Sequence, residues 1–482
     1  MKKNNNLLKN ILVCFLFCVL LTWLIPVGTI SDGTVSTSTI APIGLFGLIY
    51  VPVITVATFV QYAVVILALG GFYGVLNKTG VYSKLVKQIA KKYENKEKLF
   101  LIITITTLMI LSSVLGNPYG LFVFVPFLMG IILKLGYNKI TAVASTIGSI
   151  LAGGVASTYG LSVATQIANV FSLEVNDGIM PKFAFLSIVT VLYVLFVCGN
   201  KETQIEKPFK MINDGDKEKK AYIRIKFPFA EEKIENKKNI SPLLIIMGLM
   251  IIVLFFSMTN WQYMFKITFF NDLFDKIEAI KIGEVSIIKN LLGSDNPFGY
   301  WTSYELATIL VSFSYLIGWV YGLSFEEICQ AFSNGVKRIG KTAFLMSLAS
   351  IVFTIMIMGS GSTIFVTITD KLLSLTKDFF FLTTSISGLI SGFFYNDFYY
   401  ALSGVADLFS AKYDASFLPI TGFIYQTMHG IMMLVLPTSV ILVGGLSLLD
   451  VSVKDWIKYI FMFVLQLLVI SIIISIGLVL LV

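Results

Sequence analysis

Long runs without a single charge constrain this chain more than any other feature. Ile11 to Val27, Phe183 to Cys198, Leu243 to Met258, Tyr304 to Val320, Thr342 to Met358 and Tyr459 to Val482 are nearly unbroken apolar blocks. Only Glu305 places a charge in any of them, at one end. About 20 apolar residues at a rise of about 1.5 Å cross the hydrocarbon core of a bilayer, and about 17 suffice at the lower limit. A chain in lipid must pair its own N–H and C=O groups, so such blocks become helices. Only 13% of the residues are charged, against about 25% in soluble domains. The expected fold class is all-α, a polytopic integral membrane protein.

The formal charge of +8 does not point to nucleic acid, because the basic residues fall in the loops between apolar blocks. That is the positive-inside pattern. Only Arg224 and Arg338 are arginines, and lysine lacks the guanidinium fork that grips phosphate in two places. Cys14 and Cys18 stack one helical turn apart and read as packing residues. No histidine or carboxylate cluster accompanies them, so no metal site is expected.

Lys2, Lys3 and Lys9 precede the first apolar block, as in a signal peptide, but no small-x-small cleavage site follows. A retained first helix with a cytoplasmic N-terminus is expected. The loop Lys78 to Lys98 carries seven lysines against Glu94 and Glu97, so it is cytoplasmic too. One net crossing must then lie between Ala41 and Asn77. Gln61 to Leu76 is the better span, which leaves Pro42 to Phe59 as a surface or re-entrant element.

Residues 199–241 hold eleven basic and eight acidic residues without apolar periodicity, the pattern of a solvated linker. The expected organisation is an N-terminal helix and interfacial element over 1–60 and a first transmembrane repeat over 61–198. The cytoplasmic linker over 199–241 follows, then a connecting span and extracellular amphipathic segment over 242–303, and a second repeat over 304–482. Thr259 to Trp301 mixes aromatics with balanced charge, as an interfacial helix does.

Four further apolar stretches are overlong and interrupted. Leu99 to Leu133 breaks at Gly116-Asn117-Pro118-Tyr119-Gly120, and Ile140 to Leu173 breaks between Gly153 and Gly160. In the second half, Phe379 to Ala406 is interrupted from Ser391 to Asp397, and Ala415 to Leu449 breaks at Leu436-Pro437-Thr438-Ser439. Proline removes a donor and pushes the residue before it out of the α region. Unwound backbone at membrane depth persists where it lines a cavity. Paired interruptions in two halves are the best sequence pointer to a carrier's binding site. The candidate substrate- and ion-binding residues are Asn117, Pro118, Ser157, Thr158, Asn396, Asp397, His429, Pro437, Thr438 and Ser439. Of these, Asn117, Ser157, Asn396 and Thr438 are to converge near the midplane. Asp397 is the best intramembrane carboxylate, and such groups default to function. His429, the only histidine, is either a proton-coupling group or a neutral core residue.

Several short motifs carry a family resemblance. They are Thr22-Trp23-Leu24-Ile25-Pro26-Val27-Gly28, Gly70 through Gly80, Pro126 through Tyr137, Asn334-Gly335-Val336-Lys337, and Leu436-Pro437-Thr438-Ser439. On these the chain resembles the YfcC-like family of secondary carriers, part of the ion-transporter superfamily that includes four-carbon dicarboxylate carriers. The resemblance implies a homodimer in a bacterial cytoplasmic membrane. It implies two inverted repeats, each with a re-entrant hairpin and a broken helix, and a transport domain sliding as an elevator. The hairpin tips would lie near Asn117 and Asn396, and the broken helices would unwind near Ser157 and Pro437. The chain departs from the family at both tips, where it reads Asn117-Pro118-Tyr119 and Phe394 through Tyr400, and at His429.

The reading is a secondary transporter of a small polar metabolite, a carboxylate, amino acid or short peptide, ion-coupled or by exchange. Its partners are that solute and the lipid bilayer, not nucleic acid. Sodium or proton coupling is expected, with no other cofactor. A membrane enzyme on lipid-linked substrates would need a nucleophile, base or metal cluster that one histidine does not provide. A channel is the third reading. Gly335 to Thr342 fits the phosphate-loop pattern but lacks the strand and soluble α/β domain that such a loop needs.

Overall fold

A computed structural model describes residues 6–200, 238–259, 261–282, 285–286, 296–359 and 361–481. The expected linker falls, from 201 to 237, outside the described residues. Among the described residues eight helices are long and apolar enough to cross a membrane. They are Leu7–Leu24, Val60–Thr79, Glu97–Leu115, Ile179–Gly199, Ser241–Met258, Ser303–Val320, Phe325–Met358 and Val453–Val479. The protein is an all-α multi-pass membrane protein. Among the described residues the strands form two small antiparallel pairs, Gly28–Ser31 with Thr34–Thr37 and Lys281–Ile282 with Val285–Ser286.

Element order repeats across the chain. In the first half the spanning helix Val60–Thr79 leads to the amphipathic Val81–Lys92 and then to the arm Glu97–Leu115. The chain turns back through Pro118–Phe122 and Val125–Lys134, and the broken helix runs Lys139–Val155 and Leu161–Phe171. Ile179–Gly199 closes the series. In the second half Phe325–Met358 leads to the amphipathic Ile364–Leu373 and the arm Phe381–Phe394. The return is Phe398–Ser403 with Ala406–Lys412, the broken helix is Leu418–Met433 and Val440–Leu448, and Val453–Val479 closes.

The contacts repeat with the order. Ile147, in the first arm of one broken helix, fills the space at Gly445 in the second arm of the other. The exchanged contact also exists, with Ile167 filling the space at Gly422. Where the two broken helices meet, a Cβ on Gly430 would lie 2.8 Å from the Cα of Val155. The helices that open the two halves also cross. A Cβ on Gly335 would come 2.0 Å from the carbonyl oxygen of Gly70, so backbone meets backbone there. Without hydrophobic drive between helices in lipid, close packing of small residues holds such a crossing. Gly335 to Thr342 is helical throughout and follows no strand, so its match to the phosphate-loop pattern has no structural counterpart.

The element expected over Pro42 to Phe59 is the helix Leu45–Thr58. Its 14 residues are short of a full span, and it runs into Val60–Thr79 with only Phe59 between them. Between Thr259 and Trp301, where an interfacial helix is expected, the described residues hold the amphipathic helix Phe269–Glu278, which buries no residue. The strand pair Gly28–Thr37 carries no strong sequence signal. It is anchored by reciprocal backbone hydrogen bonds between Gly28 and Thr363, both 3.0 Å, and lies on Ile364–Leu373.

Candidate functional site

The first interruption is a hairpin tip. Glu97–Leu115 ends at Gly116, which takes the left-handed conformation at φ 64° that glycine tolerates best. Asn117 then caps the next helix: its Oδ1 accepts from the Gly120 N–H at 3.1 Å, and Pro118 takes the first helical position. The helix Lys139–Val155 continues to Val155, so the second interruption is narrower than the glycine pattern predicted and spans Ala156 to Gly160.

Ser113, on the hairpin arm, pairs that unwound backbone. Its carbonyl accepts from the N–H groups of Thr158 and Gly160, both at 3.1 Å. Its Oγ donates to the Ala156 carbonyl at 2.6 Å and accepts from the Thr158 N–H at 3.1 Å. The hydroxyls of Ser157 and Thr158 turn onto the same residue, at 3.4 Å and 3.1 Å. Ser162 donates to the Gly116 carbonyl at 3.3 Å. Asn117, Pro118, Ser157 and Thr158 thus belong to one knot of hairpin tip and broken helix.

The second half is built differently. At its hairpin tip Asp397 is the helix cap, its Oδ1 accepting from the Tyr399 N–H at 2.9 Å. Among the described residues it has no ion pair. Asn396 donates through Nδ2 to the Ser350 hydroxyl at 2.7 Å, while its Oδ1 is buried without a partner. His429 is fully packed: Nδ1 pairs with the Ser391 hydroxyl at 3.0 Å and the ring meets Phe398 edge-on at 5.6 Å. At the break, Leu436 donates to the Met432 carbonyl at 2.9 Å and Ser439 to the Leu436 carbonyl at 3.1 Å. Pro437 has no N–H to place. Thr438 is buried and its hydroxyl finds no partner. Ser439 precedes Val440–Leu448 without capping it by its side chain.

The two tips face a shared centre. Phe59, at the joint between Leu45–Thr58 and Val60–Thr79, accepts at its carbonyl from Ser347 at 3.0 Å. Its ring lies 5.3 Å from Phe353, which in turn meets Tyr395 at 5.5 Å and Tyr400 at 5.1 Å. Tyr62 stacks on Tyr119 of the first tip at 5.0 Å. The second broken helix enters the same centre: Gln426 Nε2 donates to the Ser157 carbonyl at 2.7 Å. Beyond Thr438, Gly444 packs against Phe122 and Met346. Sequence reading missed Ser113, Ser350 and the Phe59–Tyr62 joint. Serines in an apolar span are common, and nothing local marks those that meet a broken backbone.

Among the described residues no three His, Cys, Asp or Glu side chains gather as a metal site. The oxygens at the tips and breaks are amides, hydroxyls, carbonyls and one carboxylate, the hard donors that suit sodium more than a transition metal.

A model of the family DcuC, C4-dicarboxylate anaerobic carrier, matches residues 10–480. No curated protein sequence matches the chain. Two solved structures are similar at 14% identity. One is MtrF of Neisseria gonorrhoeae, described within a class of antimetabolite efflux pumps, with 98% of this chain and 95% of that one covered at a TM-score of 0.38. The other is the YdaH transporter of Alcanivorax borkumensis, with 98% and 97% covered at a TM-score of 0.36.

Proposed function

The chain belongs to the DcuC family of C4-dicarboxylate anaerobic carriers, and from that membership we propose that it is a secondary active transporter of a small polar metabolite. A carboxylate comes first among its solutes, ahead of an amino acid or short peptide, because of the family's description. The motifs of its first helix and its last break support a likeness to the YfcC-like carriers as well. One observation carries the reading. Two hairpin tips far apart in sequence, near Asn117 and Asn396, are joined through the rings of Tyr119, Tyr62, Phe59, Phe353 and Tyr400, and at the second tip Asn396 Oδ1 is buried without a partner. An unpaired buried oxygen costs about 1–3 kcal/mol. A bound cation or a solute donor would remove that cost.

The driving force in this reading is a sodium or proton gradient, with Asp397 as its charged group. The paired halves and the glycine crossing of Gly70 and Gly335 support rigid-body motion of the tips against a scaffold, the elevator scheme, in a homodimer. The N-terminus lies on the cytoplasmic side by the lysine-rich loops, in a bacterial cytoplasmic membrane.

Reconstituted protein tests this. Vesicles are offered carboxylates, amino acids and short peptides under an imposed sodium or proton gradient. Uptake that follows one gradient is expected; uptake indifferent to both rejects coupling. Asp397→Asn keeps an acceptor for the Tyr399 N–H while removing the charge. It should lower gradient-driven uptake at least about tenfold with no fall in the thermal midpoint. Unchanged uptake would remove Asp397 from the coupling role.

A further inference from the structure

Lys182 stands apart from every other lysine in the described chain. It lies in the first turn of Ile179–Gly199 and is 5% exposed. It is the end member of that helix's buried stripe, with Phe185, Leu186, Val189, Tyr193 and Val197. The stripe faces protein: the Tyr193 hydroxyl donates to the Ala144 carbonyl at 2.8 Å, and Phe185 meets Phe423 at 5.4 Å. Lys182 therefore points into the bundle rather than along its lipid surface.

Its depth follows from the same contacts. Ile179–Gly199 runs antiparallel to Lys139–Val155: Tyr193 packs at Ala144 and Gly148, whereas Phe183, ten residues earlier, meets Tyr159 just beyond Val155. Moving back along one helix moves forward along the other, so residues near 182 lie level with the first break. The ring of Phe183 meets Tyr159 of that break at 5.9 Å. A Cβ on Gly154, at the edge of the break, would meet nothing within 4 Å, so one flank is open.

No partner is present for the ammonium. Among the described residues it has no hydrogen bond and no ion pair. The acids of the preceding turn are not available to it: Asp177 accepts from the Glu174 N–H at 2.9 Å and both are exposed. The position itself is unfavourable, since a cation in a first helical turn sits at the positive end of the dipole. A buried lysine with no partner in the protein and at the wrong helix end is a group whose charged form an arriving anion would stabilise.

We propose that Lys182 is the charge partner for a carboxylate group of the transported solute, beside the first break. The inference rests on the transporter reading and narrows its solute to one bearing a carboxylate. Wild type, Lys182→Met and Lys182→Arg are compared in vesicles with succinate and with an uncharged diamide of the same length. Succinate binding is also read without transport, as the rise in thermal midpoint of the purified protein.

Lys182→Met should raise the KM for succinate roughly tenfold to a hundredfold, the range of one charge-assisted hydrogen bond, and abolish the thermal shift. Lys182→Arg should recover part of both. The ligand-free midpoint of Lys182→Met should hold or rise, since an apolar isostere replaces an uncompensated buried charge. A KM and thermal shift unchanged in Lys182→Met would overturn the proposal, as would a fall in kcat alone. If wild type carries the diamide but neither carries nor binds succinate, this inference falls while the transporter reading stands. If wild type carries nothing on the whole panel, the transporter reading fails; succinate-dependent stabilisation lost in Lys182→Met would then leave the anion site standing.

Discussion

The two broken helices occupy the same place in their halves but treat their exposed backbone in opposite ways. In the first, Ser113 reaches across from the hairpin and pairs with Ala156, Thr158 and Gly160. In the second, the backbone from Leu434 to Ser439 pairs within its own turns, and Trp456 donates to the Leu434 carbonyl at 2.7 Å. The hairpin serine on that side, Ser391, is occupied by His429. Thr438 is left with an unused hydroxyl. One break is held by the protein, whereas the other keeps polar capacity in reserve. Repetition of fold has not meant repetition of chemistry.

The sharpest challenge to this contrast is steric. A Cβ on Gly153 would lie 2.4 Å from the Met109 backbone oxygen, which cannot yield. Gly153→Ala should cost about 3 kcal/mol by overpacking, read as a fall in thermal midpoint. On the other side, the Cβ of Gly444→Ala meets the Met346 sulfur at 2.6 Å. Met346 is a flexible side chain, but the buried Phe122 ring tip also lies at 2.9 Å, so the cost should be about 1–2 kcal/mol, still below that at Gly153. Equal losses would mean the two breaks are equally rigid.

Next in size is Ser113→Ala, which strips the Ala156 carbonyl of its donor. It should lower stability by roughly 1–3 kcal/mol, seen in thermal unfolding. Thr438→Val reverses the pattern, because it removes an oxygen that has no partner. Stability should hold or rise by up to about 1 kcal/mol, while uptake at low solute falls about tenfold. A variant that unfolds easily yet transports normally would make Thr438 structural and erase the distinction. Smallest is Gly154→Ala, whose Cβ enters open space. A gain of up to about 1 kcal/mol from helix propensity is expected, and a loss would mean the flank is closed in the working protein.

Much of the architecture was legible because lipid leaves the backbone so few choices. The apolar blocks at Ile11, Leu243 and Tyr459 became spans, and each of the four interrupted stretches contains a break, although the one expected from Ser391 is helical through Phe394 and opens only at Tyr395. The family resemblance placed hairpin tips near Asn117 and Asn396, and both lie at turns, with Asn117 and Asp397 as helix caps. Boundaries were less legible. Gly153 and Gly154 looked like the start of a break, yet both are helical, and Gly153 serves close packing on Met109 instead. Lys182 was passed over because it sits one residue before an apolar block, where lysines ordinarily anchor at the interface.

Sequence by itself determined that this chain lives in a membrane, that it folds as repeated helices, and where those helices break. Those outcomes follow from hydrophobicity, charge placement and proline, all of which act locally. Only the tertiary structure decided which break is sealed, that the tips share a centre with Phe59 and Ser350, and that Lys182 faces inward. Those depend on hydrogen bonds and contacts between residues far apart in the chain, such as Gln426 with Ser157 and Asn396 with Ser350. No local pattern encodes which of many similar serines and amides will meet.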